Sequence, residues 1–112
     1  YFKLFAEKAF QNGIDDWILD PGFGFAKTVP QNYEMMSRLS EFNVLGRPLL
    51  VGVSRKSMIY KLLGISPEES LPATQVLHMK ALQQGADILR VHDVASALQT
   101  VRLFCCLDRP NL

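Results

Sequence analysis

Three strand-length runs, Trp17-Ile18-Leu19, Leu49-Leu50-Val51-Gly52-Val53 and Ile88-Leu89-Arg90-Val91-His92, are separated by helix-sized spacers. Strands that alternate with helices predict an α/β fold, with a parallel sheet and right-handed crossovers. Each run also ends in or passes into chemistry: Asp20-Pro21-Gly22-Phe23-Gly24-Phe25, Ser54-Arg55-Lys56-Ser57 and Arg90-Val91-His92-Asp93. In parallel α/β folds the carboxyl ends of the strands are where ligands bind. A carboxylate, a cationic loop and a cation-plus-imidazole pair are thus predicted at one rim.

The spacers read as helices. Residues 1–12 carry Phe2, Phe5, Ala6, Ala9 and Phe10 at helical spacing, closed by Asn12-Gly13. A helix is predicted from Gln31 to Leu45, with Tyr33, Met36, Leu39 and Phe42 on one side and Gly46 and Pro48 after it. Ser57 to Leu63 is a short helix stopped by Gly64. Ser66-Pro67-Glu68-Glu69 is a capping-box start, and Pro72 bends or restarts the segment. Ala73, Val76, Leu77 and Ala81 form its predicted stripe, with Gly85 as C-cap. Asp93 is placed to cap a last helix that turns Val94, Ala97, Leu98, Val101 and Phe104 inward. Three such units suit a small open sheet or an arc of a (β/α) barrel. Barrels run to about 250 residues, so an arc would leave most of the protein outside this chain. The start at Tyr1-Phe2-Lys3, with no Met, suits a truncated chain.

A net charge of +1 gives no field to hold nucleic acid or an acidic membrane surface, so an anion must be captured locally. No apolar run approaches the ~20 residues of a membrane span, and no signal peptide is visible. Cys105 and Cys106 are neighbours. Adjacent cysteines bridge only with strain, and two ligands make no zinc site, so they read as reduced thiols of a cytosolic protein. His78 has no Cys, Asp or His at ligand spacing and reads as structural or exposed.

At the rim, Asp20 could accept paired hydrogen bonds from an amidine-like N–C–N edge. On the Asp-Pro-Gly tripeptide alone, a turn-stabilising role is the commoner one. Phe23 and Phe25 could stack on an aromatic substrate or anchor the loop in the core. Gly52, Ser54 and Lys56 share a face if the strand persists that far, and Gly52 leaves room for a ligand against the sheet. Arg55 points elsewhere unless the loop turns, and could line a second pocket. Arg90 and His92 share a face, and the N-terminus of the following helix adds to a phosphate or diphosphate cradle. The alternative is an internal salt bridge from Arg90 to Asp93 or Asp20. Burying an unpaired Arg is costly, which favours a missing anionic partner.

In this order and spacing the three motifs resemble the C-terminal part of dihydropteroate synthase, a folate-pathway enzyme, over nearly the whole chain. Related pterin-binding barrels share the fold and a pterin-facing Asp but not this Arg-Lys and Arg-x-His combination. The resemblance implies that residues 1–112 are the last three units, strands six to eight, of a single (β/α)8 TIM barrel whose first five strands lie elsewhere. It implies condensation of dihydropterin-methyl diphosphate with p-aminobenzoate to 7,8-dihydropteroate plus diphosphate. Asp20, Lys56, Arg90 and His92 would be the catalytic set. Asp20, Gly52 and Lys56 would hold the pterin, Phe25, Ser54 and Arg55 the p-aminobenzoate side, and Arg90 and His92 the diphosphate. Mg²⁺ would ride on the diphosphate, its Asn ligand lying in the absent part. The implied partners are small molecules, with no nucleic acid or membrane, in a cytoplasmic homodimer. Glu69-Ser70-Leu71-Pro72-Ala73 departs from the Arg- and Gly-bearing version the family leads one to expect. The chain alone is expected to be inactive. The alternatives are a non-catalytic pterin- or phosphate-binding module and a remnant of a larger folate-pathway polypeptide.

Overall fold

The computed structural model of the chain describes residues 7–8, 11–13, 17–24 and 27–108. Phe2, Phe5, Ala6, Ala9 and Phe10 of the predicted first helix lie outside them, as does Phe25. Asn12 bonds back to the Lys8 carbonyl, and Gly13 follows in the left-handed region at φ +71°.

The apolar runs pair in parallel. Leu19 bridges Leu49, with the Leu50 N–H donating to the Leu19 carbonyl at 2.8 Å. Strand β1 (Leu50–Val51) pairs with β2 (Ile88–Leu89) in the register Leu50↔Ile88 and Val51↔Leu89. The Arg90 N–H then closes on the Val51 carbonyl at 2.9 Å. The spatial order therefore follows the chain order, and the three carboxyl ends lie on one side. The ladders are shorter than the predicted five-residue strands because the chain turns soon after Val51. The Lys56 N–H donates to the Val53 carbonyl at 3.1 Å, and Arg55 adopts φ +57°. At the opposite end, the Arg47 guanidinium lies 5.4 Å over the Trp17 ring and its Nε donates to the Trp17 carbonyl.

Helix α1 (Val29–Ser37) starts two residues earlier than predicted, because Thr28 and Gln31 form a reciprocal capping box. It also stops earlier, and Leu39–Leu45 is a 3₁₀ helix rather than its continuation. The reason is tertiary. An unbroken α-helix would join the Ser40 N–H to the Met36 carbonyl. Instead the buried Gln84 carboxamide stands between them, donating to Met36 at 2.6 Å and accepting from Ser40 at 2.9 Å.

Helix α2 (Ser57–Leu63) ends on Gly64 at φ +67°, as predicted. The Ser66 capping box opens a short 3₁₀ turn, Pro67–Glu69, and the chain restarts at Pro72 as α3 (Leu71–Gln83). Most of the predicted stripe of α3 faces inward: Ala81 is buried and Ala73 and Leu77 pack against the core, but Val76 is exposed, and Thr74, His78 and Leu82 complete the buried face. Helix α4 (Val94–Asp108) differs in the same way. Ala97 and Thr100 are its buried residues, and Val94 and Leu98 are exposed. Small residues let α4 sit close on α3, where Gln75 donates to the Ser96 carbonyl. The larger apolar side chains border an open groove of about 230 Å³ beside Leu89 and Val91. The core lies between strands and helices: Leu19, Leu49, Val51, Val53, Met58 and Ile59 are each at most 2% exposed. Among the described residues no helix is long and apolar enough to cross a membrane.

Candidate active site

The turn-stabilising reading of Asp20 holds for one carboxylate oxygen, and the other faces a cation of the protein. Its Oδ1 accepts from the Gly22 N–H at 2.9 Å, the turn-stabilising bond. Its Oδ2 faces the Arg90 guanidinium, with Nη1 at 3.6 Å. Phe23 is 1% exposed and anchors the loop in the core, so it is not a stacking surface. Two lysines hold the loop by its carbonyls: Lys27 donates to Gly22 at 2.9 Å and Pro21 at 3.3 Å, and Lys56 donates to Phe23. The Gly24 N–H donates to the buried Asn32 side chain at 2.8 Å. Gly24 sits at φ +86° with the Lys56 stem so close that a Cβ would meet its Cδ at 3.2 Å.

Lys27 and Asn32 escaped the sequence reading. Lys27 lies in the same loop six residues after Pro21, and Asn32 one turn into α1, so only its burial marks it as loop support.

Arg90 and His92 share a face, as predicted. The room above Gly52 is filled by Arg90, since a Cβ there would lie 2.7 Å from its Nη2. The Arg90 side chain is 55% exposed and paired with Asp20. Arg90 is therefore neither buried nor unpaired, contrary to expectation: the internal salt bridge to Asp20 exists. Asp93 is engaged differently again, its Oδ1 accepting from Arg55 Nη2 at 3.0 Å. The helix it was predicted to cap receives its carbonyl, which accepts from the Ala97 N–H.

Ser54 is 5% exposed, and its hydroxyl meets His92 twice, at 3.3 Å to the backbone N–H and 3.0 Å to Nδ1. It therefore orients the imidazole and lies on that side of the site.

Two cavities meet at Lys56. One, of about 120 Å³, is lined by Gly52, Ser54, Lys56, Arg90, Val91 and His92. The other, of about 300 Å³, is lined by Phe23, Gly24, Arg55, Lys56, Ser57 and Tyr60. The predicted face Gly52–Ser54–Lys56 is thus present, and the loop does turn, carrying Arg55 to the second pocket. Burial, then Arg90, pushes the Lys56 ammonium below the ordinary lysine pKa; Lys27 adds to this and Asp20 opposes it. Three cations around one carboxylate leave this rim electropositive, which is the surviving argument for an anion. Among the described residues, no group of three or more His, Cys, Asp or Glu side chains could hold a metal.

The chain as a whole has counterparts among known proteins. The protein-family model described as "Pterin binding enzyme" matches residues 1–92. The chain belongs to the pterin-binding enzyme family. Within it, the dihydropteroate synthase of Escherichia coli K12 is 48% identical over 105 residues, covering 92% of this chain and 37% of that protein. A probable bifunctional folylpolyglutamate synthase/dihydropteroate synthase of Haloferax volcanii is 44% identical over 110 residues, or 96% of this chain and 13% of its own length. The crystal structure of Yersinia pestis dihydropteroate synthase with a sulfonamide drug superposes with a TM-score of 0.92 at 36% identity, over 98% of this chain and 41% of that one. The chain therefore spans between about an eighth and two-fifths of the length of these relatives, and the resemblance to dihydropteroate synthase holds across nearly all of it.

Proposed function

We propose that this chain forms the last three units of a (β/α)8 barrel whose intact protein is a dihydropteroate synthase. The observation that carries the reading is the shared wall: Lys56 borders both cavities, with the Asp20–Arg90 pair close beside it. A two-substrate condensation needs two adjoining pockets and a charge-bearing junction. In this reading the pterin's guanidine-like edge displaces the Arg90 guanidinium from Asp20 and takes the carboxylate's paired acceptors. Gly52 keeps the strand flat beneath it, and Lys56 donates to its carbonyl or ring nitrogen. The released Arg90, with His92 held by Ser54, grips the diphosphate. The p-aminobenzoate side is the larger cavity, with Arg55 on its wall.

The chemistry asks little more of these groups. The bond from the pterin methylene to the diphosphate oxygen breaks, and the neutral arylamine nitrogen bonds to that carbon and loses a proton. Asp20 favours positive charge developing on the pterin, and the cations favour negative charge on the leaving group. The described residues do not fit a resident magnesium ion. Magnesium is proposed to accompany the diphosphate, and no step here runs through it. Cytoplasmic location and a homodimer belong to the same proposal.

The test is condensation by the full-length gene product, given both substrates and Mg²⁺. Expected is 7,8-dihydropteroate equal to the diphosphate released. Asp20→Asn should lower kcat/KM about 10- to 100-fold, the loss of a charge-assisted hydrogen bond. Tight binding of both substrates with no product would instead identify a non-catalytic pterin-binding module.

A further inference from the structure

Arg55 occupies a conformation its side chain disfavours. It is the one non-glycine residue among those described with a positive φ, +57°. It sits at the third position of the turn closed by the Lys56 N–H on the Val53 carbonyl, where positive φ normally selects glycine or asparagine. Arginine gains nothing from that backbone, so something outside the turn must hold it. Its guanidinium Nη2 meets Asp93 Oδ1 at 3.0 Å, with both side chains partly buried at 37% and 25% exposure. Its backbone N–H points at Thr74 Oγ1, at 3.5 Å. Asp93 directly follows His92, and Lys56 directly follows Arg55. The pair therefore ties the loop carrying Lys56 to the loop carrying Arg90 and His92.

We infer that Arg55 is a positioning residue, whose ion pair with Asp93 locks the left-handed turn that aims Lys56 at the junction of the two cavities, rather than a ligand for a substrate carboxylate. The inference deepens the proposed function and rests on it for its kinetic arm alone. A guanidinium held by Asp93 has its charge answered within the protein. A ligand role would require that bond to break, leaving Asp93 uncompensated beside His92, since its Oδ2 is already buried with no hydrogen-bond partner among the described residues.

The experiment compares Arg55→Ala, Arg55→Gly, Asp93→Asn and the Arg55→Ala/Asp93→Asn double variant in the full-length protein. One arm measures the pH dependence of Lys56 acylation by acetic anhydride, read peptide by peptide. It needs no turnover. Wild-type Lys56 should titrate below an ordinary lysine. In Arg55→Ala and Asp93→Asn it should move upward alike, and the double variant should move no further. Arg55→Gly adopts the turn without strain and should sit between wild type and Arg55→Ala. The kinetic arm should show about a tenfold fall in kcat for Arg55→Ala and Asp93→Asn, non-additive in the double variant and smaller in Arg55→Gly, with KM for p-aminobenzoate unchanged. A raised p-aminobenzoate KM in Arg55→Ala but not in Asp93→Asn would overturn the inference, as would a Lys56 titration indifferent to all four variants. If the wild type makes no dihydropteroate, the proposed function fails while the acylation arm still decides the role of Arg55. Thermal melting of each variant identifies any that fail to fold. Arg55→Gly, which removes the guanidinium without straining the turn, then serves as the deciding variant.

Discussion

At the scale of single residues, the site works by close approach. Gly52 has no Cβ, and the Arg90 guanidinium uses the space. Gly52→Ala should therefore push Arg90 off the strand at little cost in stability, because a long side chain can move aside. Calorimetry with inorganic diphosphate should show weakened binding, and the melting temperature should change by only a degree or two, equivalent to under about 0.5 kcal/mol. His78 is the opposite case. It is 1% exposed, and neither ring nitrogen has a hydrogen-bond partner among the described residues. Burial lowers its pKa from 6.5, so below that pH the unfolded chain binds a proton that the folded one resists. Stability should fall as pH drops from 6.5 toward the lowered value, and be unaffected by this group above 6.5. His78→Leu should flatten that fall and hold or raise stability above pH 6.5 by about 1 kcal/mol, measured by urea titration on either side of pH 6.5. Nothing in the sequence marked His78 as buried, since burial here follows from how α3 is rotated against its neighbours.

At the scale of elements, local signals were legible and tertiary ones were not. Gly64 as a helix stop, Ser66 as a cap and Pro72 as a restart are decided within a few residues, and each appears where predicted. The break between α1 and the 3₁₀ helix is decided by Gln84, more than forty positions away along the chain, and no local pattern announces it. Gln84→Ala should leave the Met36 carbonyl and Ser40 N–H without their buried partner. The expected cost is about 2 kcal/mol in denaturant unfolding. A neutral result would mean the helix closes up through residues 36–40 by itself. The stripes of α3 and α4 were legible only in part for a related reason: Ala73, Leu77, Ala81 and Ala97 do face inward, but other positions do not follow the pattern. Thr74, His78 and Thr100 take buried positions, and apolar Val76, Val94 and Leu98 take exposed ones. Hydrophobic spacing indicates that a face exists, while helix-on-helix packing chooses which face is covered.

At the scale of the whole molecule, the rim is the part the sequence conveyed best. Strand periodicity and order suffice to bring positions 20, 52–56 and 90–92 to one end of a parallel sheet. Side-chain alternation correctly put Arg90 with His92, and the turn at Arg55 separated it from Ser54. The internal pairings were legible only in part: Asp20 was one of two partners open to Arg90, and nothing marked Arg55 as the partner of Asp93, because these are choices among several nearby charges. The groove beside α4 leaves Leu89, Val91, Val94 and Leu98 partly or wholly open. Expressed alone, the chain should therefore bind a hydrophobic dye strongly and make no dihydropteroate; turnover by the purified chain would refute its incompleteness as an enzyme.

One small molecule should touch all three strand ends together. A crystal structure of the full-length protein with a dihydropterin-methyl diphosphate tests that most directly. It should show the pterin edge on Asp20, the ring within reach of Lys56, and the diphosphate on Arg90 and His92, with Arg55 still on Asp93. A ligand bound away from this rim, with Arg90 still on Asp20, would contradict it.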